Sequence, residues 1–165
     1  RRPPRDAGRQ RGAPEHDPRR AHRAPRRLAR PAFNPATGIR ACESVESAHS
    51  DHSATHKILA HAGGAGAPAK LDSQAKYAVV ARGQADAYLR MPTKKGYVEK
   101  IWDHAAGAIV ASEAGCVVSD ITGAPLDFGQ GEGLAKNRGI VCAAPPVQPR
   151  LVGAIRDLGF ADAGL

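Results

Sequence analysis

Short apolar segments alternate along this chain with segments whose apolar residues recur at helical spacing. The short segments predict β-strands, and they are IRACESVE, DAYLR, CVVSDI and GIVCAA. The periodic segments predict helices, and they are SDHSATHKILAHA, SQAKYAVVARG, WDHAAGAIVASEAG and PRLVGAIRDLG. Because strands and helices that alternate in this way pack as layers, the predicted fold class is α/β.

Local signals predict the ends of the first two helices. Ser50 or Asp51 is expected to cap the first helix, since both side chains can accept a hydrogen bond from a free backbone N–H. Ser73 is expected to cap the second helix, and Gly83 to end it. The glycine-rich segment 63–70, GGAGAPAK, lies between the two helices and is predicted to be a loop.

Basic residues are concentrated at one end of the chain. Residues 1–31 contain eleven Arg, no Lys and three acidic residues, so their formal charge is 11 − 3 = +8. Residues 32–165 contain 24 − 11 = 13 basic and 16 − 3 = 13 acidic residues and are neutral. Like charge and six prolines predict that residues 1–31 are a disordered basic tail, or not authentic coding sequence. The neutral remainder argues against a nucleic-acid partner, although the tail could serve as a nucleic-acid-binding arm.

The three cysteines predict buried, reduced thiols. Cys42, Cys116 and Cys142 are odd in number, lie far apart and form no C-x-x-C motif, so neither a disulfide framework nor a zinc knuckle is expected. Reduced thiols favour an intracellular location, although nothing in the residue pattern names the compartment. The chain has no run of about 18 apolar residues, so no membrane span is expected.

Two patterns resemble known sites only in part. His49, His52 and His56 could share one helix face and hold zinc, but no cysteine or second acidic cluster lies near them in sequence. The segment GGAGAPAK is not a phosphate-binding P-loop, because no Gly-Lys-Ser/Thr follows at the required spacing. Exposed histidines and a flexible loop are the preferred interpretations.

Anion binding is a hypothesis for the segment LDSQAKY. Ser73 and Lys76 lie three residues apart at the start of a predicted helix, where a hydroxyl, an ammonium and free N–H groups point the same way. Arg90 ends a predicted strand, and its planar guanidinium suits phosphate. A capping serine beside surface cations explains the same residues and stays open as an alternative.

Asp103 also has two interpretations. It follows the single Trp of the chain, expected to be buried, at the start of the third predicted helix, where Asp is a preferred N-cap. A carboxylate held at such a junction can also bind a cation. One carboxylate does not complete a Mg²⁺ site, since the ion requires about six oxygen ligands.

Several segments in order, CESVESAHS, LDSQAKY, AYLRMP, YVEKIWDHAAG, EAG and GAPLDFGQGEGL, resemble one enzyme family. Between Phe33 and Phe160 the chain is similar to the C-terminal half of the 3'(2'),5'-bisphosphate nucleotidases. These are Mg²⁺-dependent, lithium-sensitive phosphatases of the inositol monophosphatase-like superfamily, and they act on 3'-phosphoadenosine 5'-phosphate. The resemblance implies that residues 32–165 form the layered sheet-and-helix C-terminal lobe of that fold.

The resemblance also implies roles for individual residues. Asp103 is expected to bind Mg²⁺ near the scissile phosphate and to cap the helix as well. Nucleotide and phosphate contacts are expected from four further residues: His49, Ser73, Lys76 and Arg90. The implied partner is a bisphosphorylated adenosine nucleotide, with an inositol phosphate as a second candidate substrate.

The departures from the family concern its other metal ligands. In the family these lie upstream, in a Gly-Glu-Glu stretch and an Asp-Pro-x-Asp-Gly-Thr stretch, but this sequence contains neither Glu-Glu nor Asp-Gly. We therefore expect a fragment without Mg²⁺-dependent turnover of its own, whose uncovered apolar face promotes self-association. The rival hypothesis is a non-catalytic module that binds nucleotides or, through residues 1–31, nucleic acid.

Overall fold

A mixed five-stranded sheet forms the centre of the computed structural model, which describes residues 26–46 and 50–162. Its strands are β1 (Ala41–Glu43), β2 (Ala69–Lys70), β3 (Ala87–Arg90), β4 (Val117–Ser119) and β5 (Ile140–Ala143). Their order across the sheet is β2-β1-β3-β5-β4. β1 runs parallel to both of its neighbours, whereas β5 runs antiparallel to β3 and β4.

Helices cover both faces of this sheet. They are α1 (His52–Ala62), α2 (Ala75–Ala81), α3 (Ala105–Glu113) and α4 (Gln148–Asp157). α1 and α4 pack together on one face, and α2 and α3 pack together on the other. The predicted α/β class and the layered arrangement are confirmed.

Strand alternation separates two hydrophobic clusters. In β3, Leu89 belongs to the cluster beneath α1 and α4, whereas Tyr88 belongs to the cluster beneath α2 and α3. In β5, Val141 and Cys142 divide between the two clusters in the same way. Successive strand residues point to opposite faces, so one short apolar segment contributes to both clusters. This is why fully buried β3 and β5 read as continuous apolar segments rather than as alternating ones.

Two local predictions are corrected. The glycine-rich segment 63–70 is not wholly a loop, because its end forms β2, the edge strand that pairs with β1. A two-residue strand is too short to leave a pattern and exists through its pairing. At α2 the N-cap is Gln74 rather than Ser73, since Ser73 has a left-handed backbone with φ 58°. The Ser73 hydroxyl still accepts a hydrogen bond from the Ala75 N–H at 3.3 Å.

The other two cap predictions agree with the structure. Asp51 caps α1 by accepting a hydrogen bond from the Ala54 N–H at 3.0 Å, so Asp51 and not Ser50 fills that role. Gly83, with φ 69°, follows α2 closely, as expected. Its left-handed backbone favours glycine because a Cβ is strained there.

Arg30 connects the end of the predicted basic tail to the folded lobe. Its guanidinium lies 2.8 Å from the Asp86 carboxylate, and its backbone N–H donates to the Ala114 carbonyl at 2.7 Å. Arg40 approaches Asp86 at 2.8 Å from the other side. Residues 26–31 are described by the structure, whereas the rest of the tail lies outside the described residues. The domain boundary at residue 31 stays a prediction.

The cysteines are free and buried, as predicted. They are Cys42, Cys116 and Cys142. Among the helices of the described ranges, none is long and apolar enough to cross a membrane.

Candidate functional site

A cavity of about 460 Å³ lies where the parallel strands β1 and β3 end. It brings together four of the five residues that the sequence predicts as a site: Ser73, Lys76, Arg90 and Asp103. The remaining lining residues are Ser44, Asp72, Gln74, Tyr88, Tyr97 and Trp102. The volume lies within the ~300–1,000 Å³ typical of small-ligand sites. The fifth predicted residue, His49, lies outside the described residues.

Lys76 is a buried cation at the wall of this cavity. Its ammonium donates to the Ser73 carbonyl at 2.8 Å and to the Leu71 carbonyl at 3.2 Å, so it also holds the turn before α2. Burial lowers the pKa of Lys76, and the nearby Arg90 lowers it further. Because burial penalises the charged ammonium, an anion in the cavity would stabilise it.

Arg90 is the second buried cation at the cavity. Its Nε lies 2.8 Å from Oε2 of the buried Glu99, in an ion pair, and its Nη2 lies 3.5 Å from the Tyr97 hydroxyl. Burial acts to lower the pKa of Arg90, but the adjacent Glu99 carboxylate outweighs this effect and the net shift is upward. Arg90 therefore stays charged at every physiological pH.

Asp103 does not cap the helix, which corrects the sequence-based prediction. It ends a 3₁₀ turn, Ile101–Asp103, and α3 begins two residues later with His104 as its N-cap. Within the described residues the Asp103 carboxylate accepts no hydrogen bond, and it faces the cavity exposed to solvent. Of the two predicted roles, capping is excluded and cation binding stays open.

Trp102 is also placed differently from the prediction, since it is 58% exposed rather than buried. It lies on the 3₁₀ turn, outside both hydrophobic clusters, and the Lys100 ammonium lies 5.6 Å from its ring centre. The large apolar side chain therefore forms part of the cavity rim rather than of the core.

Gln74 fastens the Asp103 turn to α2. Its amide nitrogen donates to the Trp102 carbonyl at 2.8 Å, and its amide oxygen accepts from the Gly107 N–H. The two bonds bracket Asp103 in sequence, so one side chain holds the backbone on both sides of that carboxylate. Its position between Ser73 and Lys76 carries no sequence signal for such a role.

A buried polar row lies beneath the cavity. The His104 ring contacts Glu99 Oε2 through Nε2 at 3.1 Å and the Tyr77 hydroxyl through Nδ1 at 2.9 Å. An ionised Glu99 only accepts, so Nε2 donates in that bond, and the Tyr77 hydroxyl bonds the opposite ring nitrogen, Nδ1. Sequence reasoning missed all three residues. Glu99 and His104, which flank the 3₁₀ turn within EKIWDHAAG, were the available signal.

A zinc site at His49, His52 and His56, the less favoured interpretation of the sequence, receives no support from the described residues. His52 and His56 both approach the buried Glu43 carboxylate, at 4.0 and 3.4 Å. Residues 26–46 and 50–162 contain no group of three or more His, Cys, Asp or Glu side chains able to hold a metal ion. His52 and His56 therefore contact the buried Glu43 carboxylate from the α1 side.

Solved structures share this fold. An inositol monophosphatase from Anabaena matches with a TM-score of 0.58 and 18% identity, over 79% of this chain and 49% of that chain. A Pyrococcus horikoshii protein with similarities to inositol-1 monophosphatase matches with a TM-score of 0.57 and 19% identity, over 78% of this chain and 46% of its own. At this identity the likeness concerns the fold alone.

Curated relatives are more similar in sequence. A protein of Schizosaccharomyces pombe named 3'(2'),5'-bisphosphate nucleotidase is 48% identical over 113 residues, which is 68% of this chain and 32% of the relative. A protein of Oryza sativa with the same name is 47% identical over 115 residues, covering 70% and 32% of the two chains. The chain thus spans about a third of the length of these relatives.

The predicted family resemblance is confirmed by a family model that matches most of the chain. The model of the inositol monophosphatase family matches residues 26–158. This range includes the four helices and five strands of the described residues, and every residue that lines the cavity. The chain belongs to the inositol monophosphatase family.

Proposed function

We propose that this chain is the nucleotide-holding part of a 3'(2'),5'-bisphosphate nucleotidase. The observation that carries the proposal is a cavity of about 460 Å³ with two buried cations, Lys76 and Arg90, and two exposed carboxylates, Asp72 and Asp103. A ligand with two phosphate groups is bound best by cations that are held in fixed positions. Burial restricts the movement of the Lys76 and Arg90 side chains. The nucleotidases named among the relatives support the choice of nucleotide over other anions.

In this proposal the cavity residues divide the phosphate contacts. The Nε of Arg90 is already paired with Glu99. The two terminal guanidinium nitrogens are therefore the donors that Arg90 offers to phosphate oxygens. Lys76 adds a second positive charge behind Ser73, whose hydroxyl is a further donor at the cavity. His49 is assigned a nucleotide contact on the family resemblance alone.

Asp103, in the described part of the chain, is the residue that the family resemblance assigns to Mg²⁺. Its exposed carboxylate accepts no hydrogen bond there and offers the oxygen ligands that this cation prefers. When bound, the ion would stabilise developing charge on the phosphate and activate water. The described residues supply no complete ligand set. A fitting ligand is therefore present, but a finished site is not.

Turnover by the chain alone is expected to be absent. Phosphoryl transfer depends on metal charge and positioning, and the two carboxylates at the cavity, Asp72 and Asp103, give too few ligands to hold the metal firmly. The check is phosphate release from adenosine 3',5'-bisphosphate with Mg²⁺ present. A clear rate that disappears in Asp103→Asn would contradict this expectation and show that the chain completes a metal site.

Binding itself is tested by calorimetry on the full chain. Adenosine 3',5'-bisphosphate is expected to bind more tightly than adenosine 5'-monophosphate, because the second phosphate engages a second cation. Arg90→Met and Lys76→Met should each weaken binding about tenfold or more, the value of one charged hydrogen bond. Lys57→Met, which removes an exposed lysine on α1, is the matched control. Equal losses in all three variants would point to net charge rather than to this cavity.

Two alternatives are separated by the same measurement. An inositol polyphosphate that binds more tightly than the nucleotide would move the substrate class to inositol phosphates. A nucleic-acid-binding module would depend on the +8 charge of residues 1–31. Its binding would weaken steeply with salt and disappear when those residues are removed, whereas nucleotide binding in the cavity would survive.

A further inference from the structure

One oxygen of Glu99 serves both halves of the candidate site. Oε2 lies 2.8 Å from the Arg90 Nε and 3.1 Å from the His104 Nε2, and the Glu99 side chain is 3% exposed. Arg90 lines the cavity, and His104 directly follows Asp103 in the chain. The buried Glu99 carboxylate thus connects Arg90, which is assigned to phosphate, with the 3₁₀ turn that carries Asp103, which is assigned to a cation.

We propose that Glu99 is a positioning residue that holds the Arg90 guanidinium and the Asp103 turn in one fixed arrangement for the nucleotide phosphates. This inference rests on the proposed function. Glu99 does not line the cavity, so it acts through Arg90 and His104 rather than on the ligand.

The negative charge of Glu99 by itself opposes phosphate binding, whereas its proposed positioning role favours phosphate binding. A carboxylate 2.8 Å from Arg90 reduces the positive potential in the cavity and, by charge alone, weakens the attraction for phosphate. A favourable contribution to anion binding must therefore come from geometry. With Nε paired to Glu99, the planar guanidinium keeps its terminal nitrogens for the cavity, where fixed paired donors bind phosphate best.

The second contact of Glu99 fixes the other side of the site. Its carboxylate accepts a hydrogen bond from His104 Nε2, while the Tyr77 hydroxyl bonds the opposite ring nitrogen at 2.9 Å. The His104 ring is therefore held from both ends in one orientation. Since His104 is both the residue after Asp103 and the N-cap of α3, a fixed ring restrains the backbone that presents the Asp103 carboxylate.

Three variants of the full chain test the inference. Glu99→Asp keeps the charge but shortens the side chain, so it no longer reaches both partners. Glu99→Gln keeps the length but removes the charge. Asp157→Asn, at the exposed end of α4, changes the net charge as Glu99→Gln does but lies away from the cavity lining. The affinity and stoichiometry for adenosine 3',5'-bisphosphate are measured by calorimetry.

Both Glu99 variants are expected to bind about tenfold to a hundredfold more weakly at unchanged stoichiometry. Asp157→Asn should bind like the wild type. For Glu99→Gln the direction of the change in affinity is decisive, since a purely electrostatic role predicts tighter binding. A purely structural role predicts fewer binding-competent molecules at the wild-type affinity, so it lowers the stoichiometry instead.

Other outcomes overturn the inference. Wild-type or tighter affinity in Glu99→Gln would show that Glu99 acts only through charge. If Glu99→Gln fails to fold, Glu99→Asp decides the matter by its affinity, and failure of both to fold would make Glu99 a purely structural residue. Absence of nucleotide binding in the wild type would overturn the proposed function first and this inference with it, so the two failures are distinguishable.

Discussion

The Tyr77 hydroxyl lies 2.9 Å from Nδ1 of His104, and both side chains are buried. Tyr77→Phe should lower the free energy of unfolding by about 1–3 kcal/mol, because it leaves a buried imidazole nitrogen without a partner. Urea unfolding followed by circular dichroism measures the change. Tyr97→Phe is the control, since that hydroxyl makes only a 3.5 Å contact and is partly exposed. An equal decrease in the free energy of unfolding in the two variants would contradict the hydrogen bond between Tyr77 and His104.

Gly107 allows α3 to approach α2 closely. A Cβ at this position would overlap the Tyr77 ring, whereas a Cβ at Gly153 in α4 would meet no atom within 4 Å. Gly107→Ala should therefore destabilise the fold by about 1–3 kcal/mol, the usual cost of overpacking. Gly153→Ala should be neutral or stabilising by up to about 1 kcal/mol, because alanine favours the helix. Thermal or urea unfolding of the matched pair is the measurement, and a destabilised Gly153→Ala beside a neutral Gly107→Ala would refute this packing.

Cys42 should make stability fall at alkaline pH. Burial raises the pKa of its thiol from 9.0 to about 12. Its contribution is complete below pH 9 and is lost as the pH rises toward about 12, because only the unfolded chain releases the proton readily. Each such group contributes a slope of about 1.4 kcal/mol per pH unit.

The slope can be measured by urea unfolding between pH 8 and pH 11. Burial also raises the pKa of Tyr77 and of Tyr88, so Cys42→Ala should flatten the decline without abolishing it. Slopes are compared rather than absolute stabilities, since removing the sulfur also leaves a small cavity. Identical slopes with and without the thiol would show that Cys42 ionises equally in both states.

Arg30 belongs energetically to the folded lobe. It shares the buried Asp86 carboxylate with Arg40 at 2.8 Å. Arg30→Met should cost about 1–3 kcal/mol of unfolding free energy, the value of a charged hydrogen bond. Arg26→Met, at an exposed position, should change it by less than about 0.5 kcal/mol. If Arg30→Met is neutral as well, the boundary at residue 31 describes the lobe correctly.

Self-association is expected from the outer face of α3. Ile109 is 58% exposed, Val110 is exposed beside it, and both line a groove with Leu28. Ile109→Lys should reduce self-association in sedimentation velocity, because a charge disrupts an apolar contact. Ser53→Lys adds the same charge at an exposed position of α1 and should leave it unchanged. A wild-type chain that sediments as a monomer at every concentration would be inconsistent with this prediction.

Residue pattern was sufficient for the layered fold. The apolar segments DAYLR and GIVCAA predicted β3 and β5, because a buried strand needs apolar residues on both faces. Motifs in order were likewise sufficient for the family, and for four residues that meet at one cavity: Ser73, Lys76, Arg90 and Asp103. Local chemistry failed at α2 and α3, where Ser73 and Asp103 have the composition of N-caps but not the position.

The sequence by itself determined which residues are apolar, at what period they recur and which motifs follow one another. Only the tertiary structure decided that Glu99 contacts Arg90 and His104 together, and that Gln74 binds the backbone on both sides of Asp103. Periodicity indicates which face of an element is buried, because hydrophobicity is a property of each residue alone. A hydrogen bond depends on the distance and direction between two groups, and these exist only after the helices have packed on the sheet.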